Sequence, residues 1–256
     1  MKRVLYATNH HKTRYEQLHM LVSLAKTGMQ ECVLVNSAER IIPEQYFQEW
    51  RWHLSAQGVD VEVSGGGENP VDLVLESAGE KSFSLVVVDF EQSESKGAFR
   101  SIVRPLIKWL SVPLLIIGGG DDAGKESGIG VLQDVVFVTD LSSSADRAAS
   151  FLLSLHLTKR VKVVNVVPQK IPVGQSEVLE ERLQQTAKVF SSSGIEGEIH
   201  ICVGRTVEEI LRAKERYNAS AIVMVVGRKR FLKEAFCESP ACRVAKELPC
   251  PVLLVP

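Results

Sequence analysis

An excess of charge of one sign is missing from this sequence. Its 30 lysines and arginines are balanced by 31 aspartates and glutamates, which leaves a formal net charge of −1. That balance excludes the strongly basic surface by which many proteins bind nucleic acid or acidic lipid. Long apolar runs are missing too, since none reaches the roughly 18 residues that a membrane-spanning helix needs. We therefore expect neither nucleic acid nor a membrane as a partner.

Cysteine is scarce, with five in 256 residues, and no two of them form a Cys-x-x-Cys pair. An odd number without close spacing argues against a disulfide framework and predicts reduced thiols in a cytoplasmic protein. Cys237 and Cys242 could act as a redox pair. A helix start at Ser239-Pro240 lies between them, however, so buried neutral thiols are the better interpretation. The first six residues run directly into a strand pattern, and we expect no signal peptide.

What the sequence does contain is a repeat. The segment Val4–Asn9 resembles Val135–Asp140, and three later segments recur in the same order about 130 residues further on. The later pairs are Val33–Asn36 with Val163–Asn165, Leu85–Val88 with Ala221–Met224, and Val112–Ile116 with Cys250–Leu254. This constant order indicates two tandem domains of one kind, and the chain is long enough for two ordinary cores.

A glycine-rich stretch separates the two halves. It runs from Gly118 to Gly130, with acidic and basic residues between the glycines. Such a stretch cannot bury a core and is typical of a flexible linker. The predicted organisation is therefore a domain over residues 1–118, a linker over 119–130 and a second domain over 131–256.

Both halves show strand patterns that alternate with helix patterns. The apolar runs are short, β-branched and nearly continuous, which is typical of strands buried on both faces of a parallel sheet. Helix starts separate them, among them Asn69-Pro70, the capping box Thr206–Glu209 and the pair Ser239-Pro240. We predict an α/β fold of two tandem doubly wound domains. Each has a five-stranded, mainly parallel sheet with helices on both faces, and ligands sit beyond the carboxyl ends of the strands.

The second half resembles the universal stress protein family. The resemblance rests on Val135–Asp140 and the serines after it, on Val203–Leu211, on Ala221–Met224 and on Leu248–Val255, in that order. It extends over nearly all of residues 131–256 and, through the repeat, more loosely over the first half. It implies a tandem universal stress protein with an adenine nucleotide alpha hydrolase-like fold.

The resemblance also implies binding residues. In members that bind ATP, an aspartate at the end of the first strand lies near the adenosine, and Asp140 matches it. A loop of the pattern Gly-x2-Gly-x9-Gly-Ser wraps the phosphates, because backbone N–H groups reach phosphate oxygens where no Cβ intervenes. Ser239 matches the final serine, which starts a helix whose N-terminus favours anions. The candidate binding residues are Asp140, Val166, Met224, Arg228 and Ser239, with ATP or AMP as the candidate cofactor.

The three glycines of that pattern are missing. An ungapped alignment from Ile222 places Val225, Arg228 and Glu238 at their positions, so only Ser239 remains. Glu238 puts a carboxylate where a phosphate would rest. Two like charges about 4 Å apart repel by roughly 4 kcal/mol at an effective dielectric constant of about 20.

The first half departs further from the pattern. Asn9 stands in place of the aspartate, Asp89 falls at the first glycine, and a shortened loop precedes Arg100-Ser101. Neither half carries an intact phosphate cradle. We therefore expect any small-molecule site in residues 131–256, with the first half as its structural partner.

Basic side chains offer a second way to hold an anion. Arg228, Lys229, Arg230 and Lys233 cluster in the second loop, and arginine can bind phosphate through its side chain. A small anionic ligand, or a nucleotide in a different pose, therefore stays open beside the plainer interpretation of a solvated charged loop. Asp140 likewise could be a simple loop or cap residue.

No residue pattern requires an enzyme. The sequence has no Ser-His-Asp order, no Walker motif and no glycine-rich dinucleotide fingerprint after a strand. His10-His11 follow the first strand, but no partners at metal-ligand spacing accompany them. A polar loop is therefore favoured over a metal site there.

Three functions remain as hypotheses. The first is a non-catalytic regulatory or binding module of the stress response with a degenerate nucleotide loop. For this module we expect self-association as a homodimer, and a protein partner of unknown identity stays open. The second is a stress protein that binds adenine nucleotide in its second domain and hydrolyses ATP slowly at most. The third, supported by fold analogy alone, is a domain that binds a metabolite or serves electron transfer.

Overall fold

The computed structural model describes residues 2–8, 15–36, 44–64, 71–72, 74–76, 83–91, 103–119, 130–168, 173–226, 239–247 and 250–256. The chain divides into two compact units, Met1–Ile129 and Gly130–Pro256. Across the described ranges, no helix combines the length and the apolar character needed to cross a membrane.

The described strands of the first unit are parallel and lie in the order β3-β2-β1-β4-β5. They are β1 (Arg3–Thr8), β2 (Glu31–Asn36), β3 (Asp60–Ser64), β4 (Leu85–Glu91) and β5 (Leu114–Gly119). The helices are α1 (Tyr15–Ala25), α2 (Glu44–Ser55) and α3 (Arg104–Trp109). Residues 71–72 and 74–76 are helical as well, close to the helix start predicted at Asn69-Pro70, which itself lies outside the described residues.

The second unit repeats this arrangement, with parallel strands in the order β10-β9-β6-β7-β8. Its strands are β6 (Asp134–Val138), β7 (Arg160–Val167), β8 (Glu196–Val203), β9 (Ala221–Val225) and β10 (Val252–Val255). Its helices are α4 (Ser143–Ser154), α5 (Val173–Ser191), α6 (Thr206–Arg216) and α7 (Pro240–Glu247). The predicted α/β fold of two doubly wound halves is thereby confirmed.

The strands read as continuous apolar runs because both faces of each sheet are covered. Every residue of β1 after Arg3 is buried, and so is every residue of β10. The strand order reverses between β1 and β4 in the first unit and between β6 and β9 in the second. In sheets of this kind a crevice opens beyond the carboxyl ends of the two strands at the reversal.

One helix start follows the sequence prediction and one does not. Ser239 caps α7, since its Oγ accepts a hydrogen bond from the Cys242 N–H at 3.2 Å. The predicted capping box at Thr206 is wrong, because Thr206 is already the first residue of α6. The cap residue is Arg205, whose extended backbone (φ −75°, ψ 126°) suits that position, and its side chain makes no cap hydrogen bond.

The end of β5 differs slightly from the predicted boundary. Gly119, the first residue of the predicted linker, is still in strand and pairs with Glu91 of β4. The strand extends this far because β4 supplies a partner to its last residue. Residues 120–129 lie outside the described part of the chain.

Each unit has an aromatic pair in its core. The rings of Tyr6 and Trp50 lie 4.9 Å apart in the first unit, and those of Phe137 and Phe190 lie 5.5 Å apart in the second. All four side chains are buried. Such pairs contribute about 0.5–1.5 kcal/mol beyond the burial of their area.

Each unit also has an ion pair where its first two strands begin. Arg3 Nε lies 2.6 Å from Glu31 Oε2, and Arg160 Nε lies 2.5 Å from Asp134 Oδ1. In both units the two residues stand directly opposite each other on neighbouring strands. The ion pair therefore occupies the same position in both units. The positive residue lies on the first strand in one unit and on the second strand in the other.

The cysteines in the described ranges are all buried. They are Cys32, Cys202, Cys242 and Cys250. Burial raises the pKa of Cys32 to about 12 and that of Cys250 to about 11. The Cys32 and Cys250 thiols are therefore protonated at neutral pH. Cys242 is buried, as the sequence predicts, while Cys237 lies outside the described residues.

Candidate functional site

The candidate site lies beyond the carboxyl ends of β6, β7 and β9, where the strand order of the second unit reverses. Asp140 lies just past β6, while Val166 and Met224 are the next-to-last residues of β7 and β9. The register brings these ends level, because Val138 of β6 pairs with Val164 on one side and with Met224 on the other. Three of the predicted binding residues are thus brought to one edge of the sheet.

These three residues differ in how a ligand could reach them. Asp140 is exposed, Val166 is half-buried, and Met224 is buried at 6% exposure. A molecule at this edge could contact the Asp140 carboxylate and the Val166 side chain. Met224, in contrast, belongs to the packed interior of the sheet beneath them.

The chain turns sharply at Thr139–Ser142, which we call the Asp140 loop. Leu141 has a φ of 58°, an uncommon value for a residue with a side chain. Thr139 Oγ1 accepts a hydrogen bond from the Leu141 N–H at 2.9 Å, and Asp140 Oδ1 accepts one from the Ser142 N–H at 3.0 Å. The Asp140 carboxylate therefore stabilises the turn from an exposed position.

Side chains from two other elements also hold the Asp140 loop. Asn165 of β7 donates from Nδ2 to the Thr139 carbonyl at 2.8 Å, in a buried hydrogen bond. Arg182 of α5 donates from Nη2 to the Leu141 carbonyl at 2.7 Å. The loop is thus fixed by the strand beside it and by a helix that follows later in the chain.

Ser239 lies at the N-terminus of α7, as the sequence predicts. Its Oγ accepts the Cys242 N–H, and its carbonyl accepts the Arg243 N–H at 3.0 Å. A hydroxyl group can accept and donate at once, so Ser239 could still donate a hydrogen bond to a ligand.

Val225 is the one of the three glycine positions of the family pattern that lies in the described part of the chain. Val225 ends β9 opposite Val255, and the next N–H, that of Val226, donates to the Val255 carbonyl at 2.8 Å. The backbone there continues the sheet instead of leaving it to wrap a phosphate. Arg228 and Glu238 lie outside the described residues.

The corresponding edge of the first unit holds a buried carboxylate. Asp89 occupies the repeat position of Val225, is only 1% exposed, and accepts a hydrogen bond from the Tyr6 hydroxyl at 2.8 Å. Thr8, which pairs with Asp89 across the strands, is buried too. The first unit therefore has a carboxyl side chain, already bound by the Tyr6 hydroxyl, where the second unit has an apolar valine.

The remaining sequence candidates are the two histidines that follow β1. His10 and His11 lie outside the described residues. Within the part of the chain that is described, no three side chains of His, Cys, Asp or Glu are grouped so that they could hold a metal ion.

Sequence reasoning missed the residues that shape the Asp140 loop. Thr139 and Asn165 stand inside the repeated segments, and their polar character at the end of a buried strand was the available signal. Arg182 contacts a residue 41 positions away in the chain. No local pattern indicates a contact of that kind.

The second unit matches a known protein family along nearly its whole length. Residues 132–256 match the model described as the universal stress protein family. A comparison with curated proteins gives no match.

Solved structures share the fold over the whole chain. A universal stress protein from Archaeoglobus fulgidus DSM 4304 is 21% identical, with a TM-score of 0.69 and coverage of 99% of this chain and 95% of its own. A functionally unknown protein from Pseudomonas aeruginosa PAO1 is 14% identical, with a TM-score of 0.68 and coverage of 99% and 92%. The cytoplasmic domain of a prokaryotic cation chloride cotransporter is 12% identical, with a TM-score of 0.61 and coverage of 99% and 95%. At such low identities, these likenesses show the fold and not the function.

Proposed function

Because residues 132–256 form a domain of the universal stress protein family, we propose that the chain is a non-catalytic regulatory or binding module of the stress response. Its ligand site is the carboxyl edge of the second unit, at the Asp140 loop. The first unit shares the fold and serves as the structural partner of that site.

The course of β9 supports a site without a phosphate cradle. The Val226 N–H is engaged by Val255, so it does not point outward as a phosphate donor. Among the described residues, this edge presents an exposed carboxylate, Asp140, and the apolar, half-buried Val166. Such a pair suits the nucleoside part of a ligand, with a ring against Val166 and hydroxyls that donate to Asp140.

An alternative is an adenine-nucleotide-binding protein that takes ATP or AMP in its second unit and hydrolyses ATP slowly at most. The retained cap at Ser239 favours it, because the N-terminus of α7 adds a partial positive charge. Arg228 would then replace the lost backbone donors by its side chain. It belongs to the sequence between β9 and α7 and lies outside the described residues.

Ligand release and thermal shift separate the two functions. The purified full chain is denatured and the supernatant is analysed for adenine nucleotide, and melting is followed with Mg-ATP, AMP or adenosine. A ligand at 100 times its Kd stabilises the folded state by about 2.7 kcal/mol. We expect no released nucleotide, a shift with adenosine and none with sub-millimolar Mg-ATP. A clear shift with sub-millimolar Mg-ATP would support the alternative instead.

A pair of variants tests whether the loss of the glycines is the reason that Mg-ATP gives no thermal shift. Arg228→Gly with Glu238→Gly restores two of the three, and we expect this variant to gain a shift with Mg-ATP. The control, Arg230→Gly with Glu234→Gly, removes the same charges at positions outside the family pattern. An equal gain in the control would assign the effect to charge, and no gain in either variant would contradict the loop explanation.

A further inference from the structure

We propose that Arg182 is a positioning residue for the ligand site. Although it lies on a different element, it holds the Asp140 loop in the conformation that orients the Asp140 carboxylate. This inference rests on the proposed function in placing the ligand at Asp140, but the effect of Arg182 on the loop can be measured without a ligand.

The conformation of the Asp140 loop needs support from outside the loop. Leu141 adopts a positive φ of 58°. In that region the Cβ of an ordinary residue approaches the following carbonyl oxygen, so the conformation is unfavourable for leucine. A residue of this kind keeps such a backbone only where its surroundings determine it.

Arg182 supports Leu141, the residue with the unfavourable backbone, directly. The Thr139 hydroxyl accepts from the Leu141 N–H, the Asp140 carboxylate accepts from the Ser142 N–H, and Asn165 donates to the Thr139 carbonyl. None of these bonds engages the Leu141 carbonyl. The Leu141 carbonyl accepts from Arg182 Nη2 at 2.7 Å. A guanidinium donor makes a short charge-assisted hydrogen bond, which is stronger than a bond between neutral groups.

One peptide group connects the Leu141 carbonyl to the Asp140 carboxylate. The peptide group that carries the Leu141 carbonyl also carries the Ser142 N–H, because both belong to one planar unit. That N–H donates to Asp140 Oδ1 at 3.0 Å. If Leu141 relaxed to a negative φ, this peptide would rotate, and the Asp140 carboxylate would lose the hydrogen bond from the Ser142 N–H. Arg182 therefore acts on the ligand-binding carboxylate through one rigid peptide.

Hydrogen exchange in the free protein tests the effect on the loop. Arg182→Met removes the donor and keeps a long side chain, and Arg182→Lys keeps a donor that can serve a single carbonyl. The control is Lys188→Met, which removes a positive charge from an exposed position of the same helix. We expect exchange of the Leu141 and Ser142 amides to rise about tenfold in Arg182→Met, less in Arg182→Lys, and not at all in the control.

Calorimetric titration with adenosine tests the effect on binding. We expect Arg182→Met to weaken binding about five- to tenfold at unchanged Tm, with partial recovery in Arg182→Lys. If the wild-type chain binds no adenosine, the proposed function fails while the exchange data still decide what Arg182 does to the loop. Unchanged exchange in Arg182→Met overturns the inference, and faster exchange with unchanged affinity overturns its ligand part. If Arg182→Met lowers the Tm, amide exchange and adenosine affinity are compared between Arg182→Lys and Lys188→Met instead. Larger changes in Arg182→Lys support the inference, and equal values in the two variants overturn it.

Discussion

The two units share one order of strands but bury different groups at the carboxyl edge. In the first unit the Tyr6 hydroxyl donates to the Asp89 carboxylate, and both residues are buried. At the same repeat positions the second unit has Phe137 and Val225. The hydroxyl and the carboxylate are therefore present together in one unit and missing together in the other. A polar group in a packed core is retained where its partner is retained, because a buried group without a partner is costly.

Oppositely charged side chains are likewise paired where the first two strands of each unit begin. The first unit pairs Arg3 with Glu31, and the second pairs Asp134 with Arg160 in the opposite sense. Parallel register places each pair side by side. Complementary charges therefore lie at this place in both units, in opposite order, and we expect either order to stabilise the start of the sheet.

The largest expected effect comes from the aromatic pairs. Phe190→Ala removes a fully buried ring that packs against Phe137, so we expect the free energy of unfolding to fall by about 3–5 kcal/mol. Urea denaturation followed by far-UV circular dichroism measures it. The control is Val189→Ala at the neighbouring position, which is 43% exposed and should change stability by less than about 0.5 kcal/mol. Equal losses in both variants would contradict a core role for the Phe137–Phe190 pair.

The next largest effect is expected when the phenolic hydroxyl is removed from position 6 or added at position 137. Tyr6→Phe leaves the buried Asp89 carboxylate without its phenolic donor, and Phe137→Tyr places a hydroxyl in the second core without a carboxylate. We expect each variant to lower the free energy of unfolding by about 1–3 kcal/mol. Urea titration measures both, and the fluorescence of Trp50, which contacts Tyr6, reports on the first unit. An unchanged free energy of unfolding in Phe137→Tyr would mean that the second core tolerates a hydroxyl without the carboxylate partner. That result would contradict the explanation from paired polar groups.

Exchanging the charges should have a smaller effect. Asp134→Arg sets two positive charges opposite each other on β6 and β7, so we expect a lower Tm at low salt. Adding Arg160→Glu recreates the order of the first unit and should restore the Tm. In about 1 M salt the three proteins should melt together, since exposed charges are screened there. A double variant that melts as low as the single one would show that the order of charges matters.

The smallest expected effect is a pH dependence of the Tm. The hydrogen bond from Arg160 holds the pKa of Asp134 below its ordinary value of 3.8. A carboxyl group whose pKa is lower in the folded state stabilises the fold above its unfolded pKa, and the contribution is lost as the pH falls through the folded pKa. The wild type should therefore melt above Asp134→Asn at about pH 5, and the difference should vanish towards about pH 2. A difference that persists at the acid end would assign it to another group.

The sequence predicts the scaffold better than the contacts between distant residues. The repeat and the apolar runs locate the strands, and Asp140 and Val166 lie at the same carboxyl edge. The partners of Asp89 and Leu141 could not be predicted in this way. Tyr6 is 83 residues from Asp89, and Arg182 is 41 residues from Leu141. Local periodicity specifies which face of an element is buried, but a single long-range hydrogen bond depends on how whole elements pack.

The burial of the thiols determines how this protein meets oxidants. Peroxide and alkylating reagents attack the thiolate, and Cys32 and Cys250, with pKa values of about 12 and about 11, carry almost none at neutral pH. While the sheets are closed, these side chains resist conversion to sulfenic acid. They become reactive when the strands around them open. Labelling of Cys32 in native buffer therefore counts openings of the first sheet, and labelling of Cys250 counts openings beside β10.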